Sequence, residues 1–375
     1  SPDEAGRSGP QQHVGSNGGV AGPDRAEGDA QILSSDPHLR RQAAPVRDEM
    51  PRDGPDHRVR GAAFPGVPAV VIRETDFAAW GFTNANSDAI DFYSYETDGE
   101  TYQYGDEQRE FETREETIEV DGGENQTVTV RRSVHGPVIE EAEQEVAVAW
   151  TGHAATETTI ALYELTRSQS FDETLDAIRK FDIPTQNFLY ADQDNNTLYF
   201  TVGRHPIRQP PGETVAWDSP DALAGDGVFD GSRPEGEWAG FEPFERPSWD
   251  GFVPFAEKPH VHNAEYLATA NQLTVDDEKL GYYLGVEFGP GYRGERIYEL
   301  LDEAVESGGD IDLDRLREVG RDVRDGRAAA MVEPLVAAAR ESDDGDLLDA
   351  GDTLEEWDHR METDSEAALL FDRFL

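Results

Sequence analysis

Apolar and polar positions change their rhythm along this 375-residue chain. From Ala69 to Trp80 runs a β-rich apolar stretch, and over residues 92–150 apolar positions alternate with polar ones. Phe92, Tyr93 and Tyr95 follow that pattern. Thr117-Ile-Glu-Val120 and Thr127-Val-Thr-Val130 flank an Asp121-Gly-Gly123 turn. Alternation of this kind predicts half-buried strands. Phe188-Leu-Tyr190 and Leu198-Tyr-Phe200, separated by Asp194-Asn-Asn196, predict a hairpin. Helical spacing predicts helices over 156–168 and 172–181. It strengthens after residue 294, where Ile297, Leu300, Leu301 and Ala304 fall on one helical face. Further helices are predicted near 312–323, 327–340, 346–357 and 365–375. Strands in the first two-thirds and helices concentrated in the last third predict an α+β fold.

Two segments interrupt these patterns. Residues 1 to about 60 are rich in Gly, Pro, Asp and Arg, and by composition read as a loop or leader. Pro206, Pro210, Pro211 and the Gly/Asp/Pro-rich 219–236 predict a long surface connection. No repeat of fixed period is present.

Composition narrows the partners. Asp and Glu total 79 against 32 Lys and Arg, a net charge of −47, and Lys180, Lys258 and Lys279 are the only lysines. Such a charge repels nucleic acid and anionic lipid, so neither is expected as a partner. Acidity alone suggests disorder. Yet 37% of residues are hydrophobic, with six Trp, twelve Tyr and seventeen Phe, which is material for a core. Scarce lysine with abundant carboxylates points to a halophile, in which salt screens self-repulsion. The absence of cysteine excludes disulfides, thiolate metal sites and a cysteine nucleophile. No run of eighteen apolar residues exists to span a membrane. The chain opens on Ser rather than Met and closes on the uncapped apolar Phe371-Asp-Arg-Phe-Leu375, so it is expected to be part of a longer protein. A signal peptide upstream would fit export to the cell envelope or medium.

The candidate chemistry begins at Gly15-Ser16-Asn17, which taken alone is a flexible loop. A serine hydroxyl needs a base. Nine histidines are present, but no Gly-x-Ser-x-Gly elbow anchors a conventional triad. The run from Ser16 ends in Asp36-Pro-His-Leu39, and three later segments change the reading: Phe64-Pro-Gly-Val-Pro-Ala-Val-Val-Ile72, Ala79-Trp-Gly-Phe-Thr-Asn84 and Ala268-Thr-Ala-Asn271. In this order and at these separations the chain resembles the penicillin acylase family of N-terminal-nucleophile amidohydrolases. The resemblance implies an αββα sandwich, here partial, with the Ile32-Leu33 strand inside the catalytic core. Residues 1–15 would be the end of a spacer or propeptide, and 16–375 a truncated β-subunit-like domain.

The resemblance also implies roles. Ser16 would become the first residue of the mature β subunit once the Gly15–Ser16 bond is cut. Its own α-amine, with a reference pKa of roughly 7.7–8.0, would serve as base. Asn271 would donate its side-chain amide to the oxyanion, Asn84 its backbone N–H, and Arg293 in Gly291-Tyr-Arg293 would orient the asparagine. His38 matches a position beside the nucleophile, where it would hold the Ser16 amine or its water. Leu39, Val71 and Ile72 would line part of an apolar acyl pocket. Asp88, the Ile90 carbonyl and Asp91 match a stretch that binds structural calcium in family members, oxygen donors suited to a hard cation. No organic cofactor is implied. His260-Val-His262 has no third ligand nearby in sequence to complete a metal site.

Departures from the family pattern are visible. Gly19 stands where a Trp is common, Arg73-Glu-Thr75 replaces Gly-His-Asn, and the 40–60 stretch is far more polar than an acyl pocket. Two functions follow. One is an amidohydrolase acting on a small N-acylated substrate, such as an acyl-homoserine lactone, an acylated peptide or a β-lactam side chain, with an α subunit cut from the same precursor. The other is a non-catalytic remnant that keeps the scaffold as a binding or envelope protein.

The charge gives a first prediction. Because the Debye length falls to about 3 Å at 1 M salt, the melting temperature should rise with salt. Calorimetry across a KCl series checks it, and a flat melting temperature from low to molar salt would contradict the halophile reading.

Overall fold

Two strands without an exposed face, Gln186–Asp192 and Thr197–Val202, form the middle of the protein. Every residue of both is buried, because each strand is covered on both faces. The computed structural model describes residues 59–375 apart from 65–68, 142–143, 245–250, 276 and 309–310, together with three strand segments nearer the N-terminus.

In chain order the strands begin with β1 (Gly19–Pro23), β2 (Ala30–Ser34), β3 (Pro45–Val46), β4 (Val59–Ala62), β5 (Ile72–Thr75), β6 (Ala78–Asn84) and β7 (Ile90–Ser94). They continue with β8 (Thr101–Tyr104), β9 (Glu107–Glu110), β10 (Glu112–Ile118), β11 (Gln126–Arg132), β12 (Val138–Glu141) and β13 (Gln144–Trp150). The central pair is β14 and β15, followed by β16 (Val228–Asp230), β17 (His260–His262) and β18 (Leu267–Thr269). The helices are α1 (Thr158–Leu165), α2 (Phe171–Ile178), α3 (Asp277–Leu280), α4 (Tyr292–Glu306), α5 (Leu313–Val319), α6 (Gly326–Arg340), α7 (Gly345–Glu355) and α8 (Glu366–Phe374).

A seven-stranded sheet runs in the order β17-β15-β14-β6-β5-β4-β3, and a three-stranded sheet in the order β18-β1-β2. One face of the large sheet packs on α1 and α2 through Trp80, Phe82, Phe188 and Phe200 against Leu162, Leu165 and Ile178. Burial of side chains this size stabilises by roughly 1.5–3 kcal/mol each. On its other face β1 and β2 lie against β6 and β14. Behind the small sheet, α4 packs on β18 and α5 on β2, where Leu301, Leu316 and Val319 meet Ala268. The layers therefore read helix, sheet, sheet, helix.

A third sheet, β12-β13-β7-β16, builds its core from Tyr93, Ala147 and Phe229. Buried His135 stacks on Tyr93 with ring centroids 3.8 Å apart, and its Nε2 lies 2.9 Å from a Glu237 carboxylate oxygen. Its Nδ1 meets the Tyr95 hydroxyl, which also bonds Ser133 Oγ at 2.8 Å. Burial pulls the His135 pKa below its ordinary value. The Ser133-Val-His-Gly-Pro137 motif is thus a buried structural network.

Much of the predicted pattern is present, with shifted ends. Helices α6, α7 and α8 fall where the spacing placed them, while α5 stops at Val319, short of residue 323. The β-rich 69–80 run holds a tight hairpin: Thr75 Oγ1 accepts from the Phe77 and Ala78 N–H groups at 3.2 and 3.0 Å and turns β5 into β6. The 206–236 connection is not purely surface. Ile207, Arg208 and Gln209 are buried, Arg208 bridges to both Leu223 and Trp238, and Leu223 N–H donates to the Arg208 carbonyl. Acidic residues also shape the helices, since Asp312, Asp325 and Asp344 accept backbone N–H groups at the starts of α5, α6 and α7. Among the described residues no helix is long and apolar enough to cross a membrane.

Helices α6, α7 and α8 share a core of their own around Val332, Val336, Leu354, Trp357 and Phe371. Fully buried Phe371 packs 5.4 Å from the Trp357 ring. Phe371→Ala should destabilise this unit by about 3–5 kcal/mol, read by urea unfolding with Trp fluorescence. A loss below about 0.5 kcal/mol, the scale of an ordinary surface change, would contradict that packing.

Candidate active site

At one end of the two-sheet interface the side-chain amide of Asn271 joins three elements. Its Nδ2 donates to the Asn84 carbonyl at 2.9 Å, at the end of β6. Its Oδ1 accepts from Arg293 Nη2 at 3.0 Å, and the same nitrogen donates to the Ala270 carbonyl. Asn271 is buried and holds a left-handed φ of 66°, a conformation asparagine tolerates better than most residues. Gly289 N–H donates to its carbonyl at 2.8 Å and fixes that turn. Arg293 stands in the first turn of α4, and burial lowers its pKa from the ordinary value. A primary amide carries two donor hydrogens, so Asn271 keeps one beyond the bond to Asn84.

The backbone of Asn84 is aimed by the ladder. Gln186 pairs with Asn84 in the β14–β6 register, and Ala85 N–H donates to the Thr185 carbonyl. Antiparallel strands alternate the direction of their peptide groups. Residue 84 therefore turns its N–H and carbonyl away from β14, to the side where Asn271 reaches the carbonyl. On that side the β5–β6 pairing extends only as far as Arg73↔Trp80, so β5 does not flank Asn84. The Asn84 side chain accepts from Gln186 Nε2 at 2.8 Å.

Asn187 completes the constellation. Its Nδ2 lies 3.2 Å from the Asn84 carbonyl and 3.1 Å from both Thr83 Oγ1 and Thr269 Oγ1. Its Oδ1 accepts from the Tyr199 hydroxyl at 2.7 Å. The signal was present in Gln186-Asn-Phe-Leu-Tyr-Ala-Asp192, where a polar amide interrupts a buried apolar strand.

The register of β1 fixes where the N-terminal part of the chain meets this cluster. Gly19 pairs with Thr269, two residues before Asn271, so β1 starts at the Asn271 end of the small sheet. Ser16, His38 and Leu39 lie outside the described residues. Val71 belongs to the core beneath α1 and α2, and Ile72 packs against that core. The cluster of Asn84, Asn187, Asn271 and Arg293 does not include them.

Asp88, Ile90 and Asp91 follow the loop from Asn84. Asp91 is fully buried, with Oδ1 accepting from Arg208 Nε at 2.8 Å and Oδ2 from Trp238 Nε1 at 2.6 Å. Asp88 Oδ2 lies 3.0 Å from Arg208 Nη2 and 3.3 Å from the Tyr283 hydroxyl, and its Oδ1 accepts from Ile90 N–H at 3.2 Å. Burial pushes both carboxyls up and Arg208 pulls them back. Burial also works against the Arg208 charge, but the two carboxylates outweigh it and hold the guanidinium protonated. Among the described residues no group of three or more His, Asp or Glu side chains is disposed to hold a metal ion.

Several known proteins are similar to this chain. Penicillin G acylase of Escherichia coli is 23% identical over 316 residues, covering 82% of this chain and 34% of that protein. Penicillin acylase 2 proenzyme of Pseudomonas sp. (strain SE83) is 26% identical over 380 residues, covering 96% of this chain and 44% of the relative. Acyl-homoserine lactone acylase QuiP of Pseudomonas aeruginosa is 24% identical over 306 residues, covering 76% and 33%. The chain thus spans less than half the length of these curated relatives. The solved structure of a thermostable penicillin G acylase from Alcaligenes faecalis superimposes with a TM-score of 0.65 at 19% identity, covering 92% of this chain and 60% of that one. That similarity establishes the sandwich as the Ntn-hydrolase fold. The Penicillin amidase family matches residues 2–375, and the chain belongs to that family.

Proposed function

We propose that the protein carrying this chain is an amidohydrolase that cleaves N-acyl amide bonds with Ser16 as an N-terminal nucleophile. The observation that carries the reading is the Asn271–Asn84–Arg293 cluster at the end of the sheet where β1 begins. Ser16 lies three residues upstream of Gly19 in sequence.

The reaction needs no group beyond the serine and its hydrogen-bond donors. The Ser16 hydroxyl attacks the acyl carbon, and its proton passes to the Ser16 α-amine through a water. The oxyanion is met by the free Asn271 amide hydrogen and the Asn84 N–H, donors worth roughly 3 kcal/mol each in such sites. Collapse of the intermediate releases the amine, which takes the proton, and leaves an acyl ester on Ser16. Water then hydrolyses that ester by the same steps and regenerates the serine. Arg293 holds Asn271 by its Oδ1, so the amide cannot rotate away. Asn187 holds the Asn84 carbonyl and so helps fix the end of β6.

The names of the relatives support an acylase acting on penicillins or acyl-homoserine lactones. A precursor cut at Gly15–Ser16, with an α subunit released from the same chain, fits the proenzyme among them.

The test is processing. The mature β chain should begin at Ser16 by intact mass, and Ser16→Ala should abolish both cutting and amide hydrolysis. A fully active Ser16→Ala protein, or an active sample with Gly15–Ser16 intact, would sink the mechanism. Asn271→Ala should process and fold yet lose about 10²–10³-fold in turnover; unchanged kcat would place the oxyanion donors elsewhere. Asn187→Ala should lower stability by ~1–3 kcal/mol through the buried partners it strands and also lower kcat. Wild-type melting and kcat in that variant would contradict its role.

A further inference from the structure

The stretch Asp88-Ala-Ile-Asp91 resembles one that binds calcium in the family. A calcium ion takes six to eight oxygens at 2.3–2.6 Å and needs carboxylate lone pairs turned toward one point. Both oxygens of Asp91 instead accept N–H groups, one from Arg208 Nε and one from Trp238 Nε1. Asp88 Oδ2 faces Arg208 Nη2 and Tyr283, and Oδ1 is bonded by the Ile90 N–H of its own loop. The group between the two carboxylates is a guanidinium, itself 1% exposed. A calcium ion beside it would meet a fixed positive charge and lose oxygens already engaged, so the residues do not fit the metal.

The surroundings hold the arginine there. A Cβ on Gly225 would lie 2.4 Å from Arg208 Cζ and 2.5 Å from Asp88 Oδ2, so the backbone of the long connection closes against the ion pair. The Tyr283 ring lies 5.1 Å from the Arg208 Cζ on another side. Arg208 in turn pairs by its backbone with Leu223 and Trp238. The loop it secures is the one that begins at Asn84, tied further by Asp88 N–H to the Leu284 carbonyl and by Thr185 Oγ1 to the Ser87 carbonyl.

We propose that Arg208 is a built-in cation that takes the place of calcium, joining Asp88 to Asp91 and anchoring the loop beyond Asn84 without a metal. The relation is chemical. A guanidinium supplies one positive charge and directed N–H donors, and it neutralises one of the two carboxylates while Trp238, Tyr283 and the Ile90 N–H satisfy the remainder. Unlike calcium, it cannot be chelated. The proposal is independent of how Ser16 acts, and its readouts are binding and melting, so its failure and that of the catalytic reading are distinguishable.

The experiment uses the protein in molar KCl, which screens adventitious cation binding to the acidic surface. Melting temperature is compared in EDTA and in excess calcium at equal ionic strength, and terbium is titrated with excitation of Trp, since Trp238 bonds Asp91 directly. The wild type should melt at the same temperature in both buffers and show no saturable sensitised terbium emission. A calcium-dependent rise in melting temperature, or saturable terbium emission in the wild type, would overturn the proposal. Arg208→Ala and Arg208→Met leave two facing carboxylates without a cation. Both should melt lower than wild type in EDTA, and Arg208→Ala should gain a calcium-dependent upward shift and saturable terbium emission. An Arg208→Met protein that melts as high as wild type in EDTA would also overturn it. Should the variants fail to fold, the wild-type comparison decides.

Discussion

The side-chain amide of Asn271 is the contact on which the site depends. It holds the Asn84 carbonyl with one end and is held by Arg293 with the other, so the end of β6, the turn after β18 and the start of α4 share one hydrogen-bond chain. Each of these elements is fixed elsewhere by packing. Phe82 and Phe188 seat the large sheet on α1 and α2, and Leu301 seats α4 on the small sheet. The polar chain therefore needs no rearrangement to stay aligned, which is what preorganised donors require. Asn271 makes these bonds from a left-handed backbone, with φ 66°.

Between the sheets, beside the apolar contact of Leu189 with Leu267, Thr83, Asn187, Tyr199, Thr201, Thr269 and Thr274 form a polar belt. Buried polar groups are costly unless each finds a partner, and here the hydroxyls and the Asn187 amide satisfy one another. The belt carries order from the sheet interior to Asn84. On the far side of Asn84 the Asp88–Arg208–Asp91 cluster performs the matching task with charge rather than neutral groups. One strand end is thus held from the interior by amides and from the loop by an ion pair.

Helices and their order were readable because their apolar spacing is regular, as at Ile297, Leu300, Leu301 and Ala304 on α4. The β14–β15 hairpin was readable from two apolar runs around Asp194-Asn-Asn196, and its asparagine turn residue Asn195 adopts a φ of 64°. Of the catalytic reading, Asn84, Asn271 and Arg293 were reached through motifs and their gaps, and the structure brings all three together. Asn187 escaped because a single amide within a buried strand looks like an ordinary ladder residue until its partners on the facing sheet are known. Arg208 escaped for a related reason. Its segment is rich in proline and glycine and reads as surface, and the carboxylates it meets are 120 and 117 residues away in sequence. Contacts that close a site across such separations leave no local pattern.

These contacts matter to catalysis only if Ser16 is the atom that carries the acyl group. A slowly hydrolysed N-acyl substrate, quenched in acid and mapped by peptide mass spectrometry, would locate that group on the mature chain. The acyl mass should sit on the peptide that begins with Ser16, on its side-chain oxygen, and Asn271→Ala should slow its appearance. An acyl group on another residue, or steady amide hydrolysis with no acyl mass on the Ser16 peptide at any quench time, would contradict an ester on Ser16.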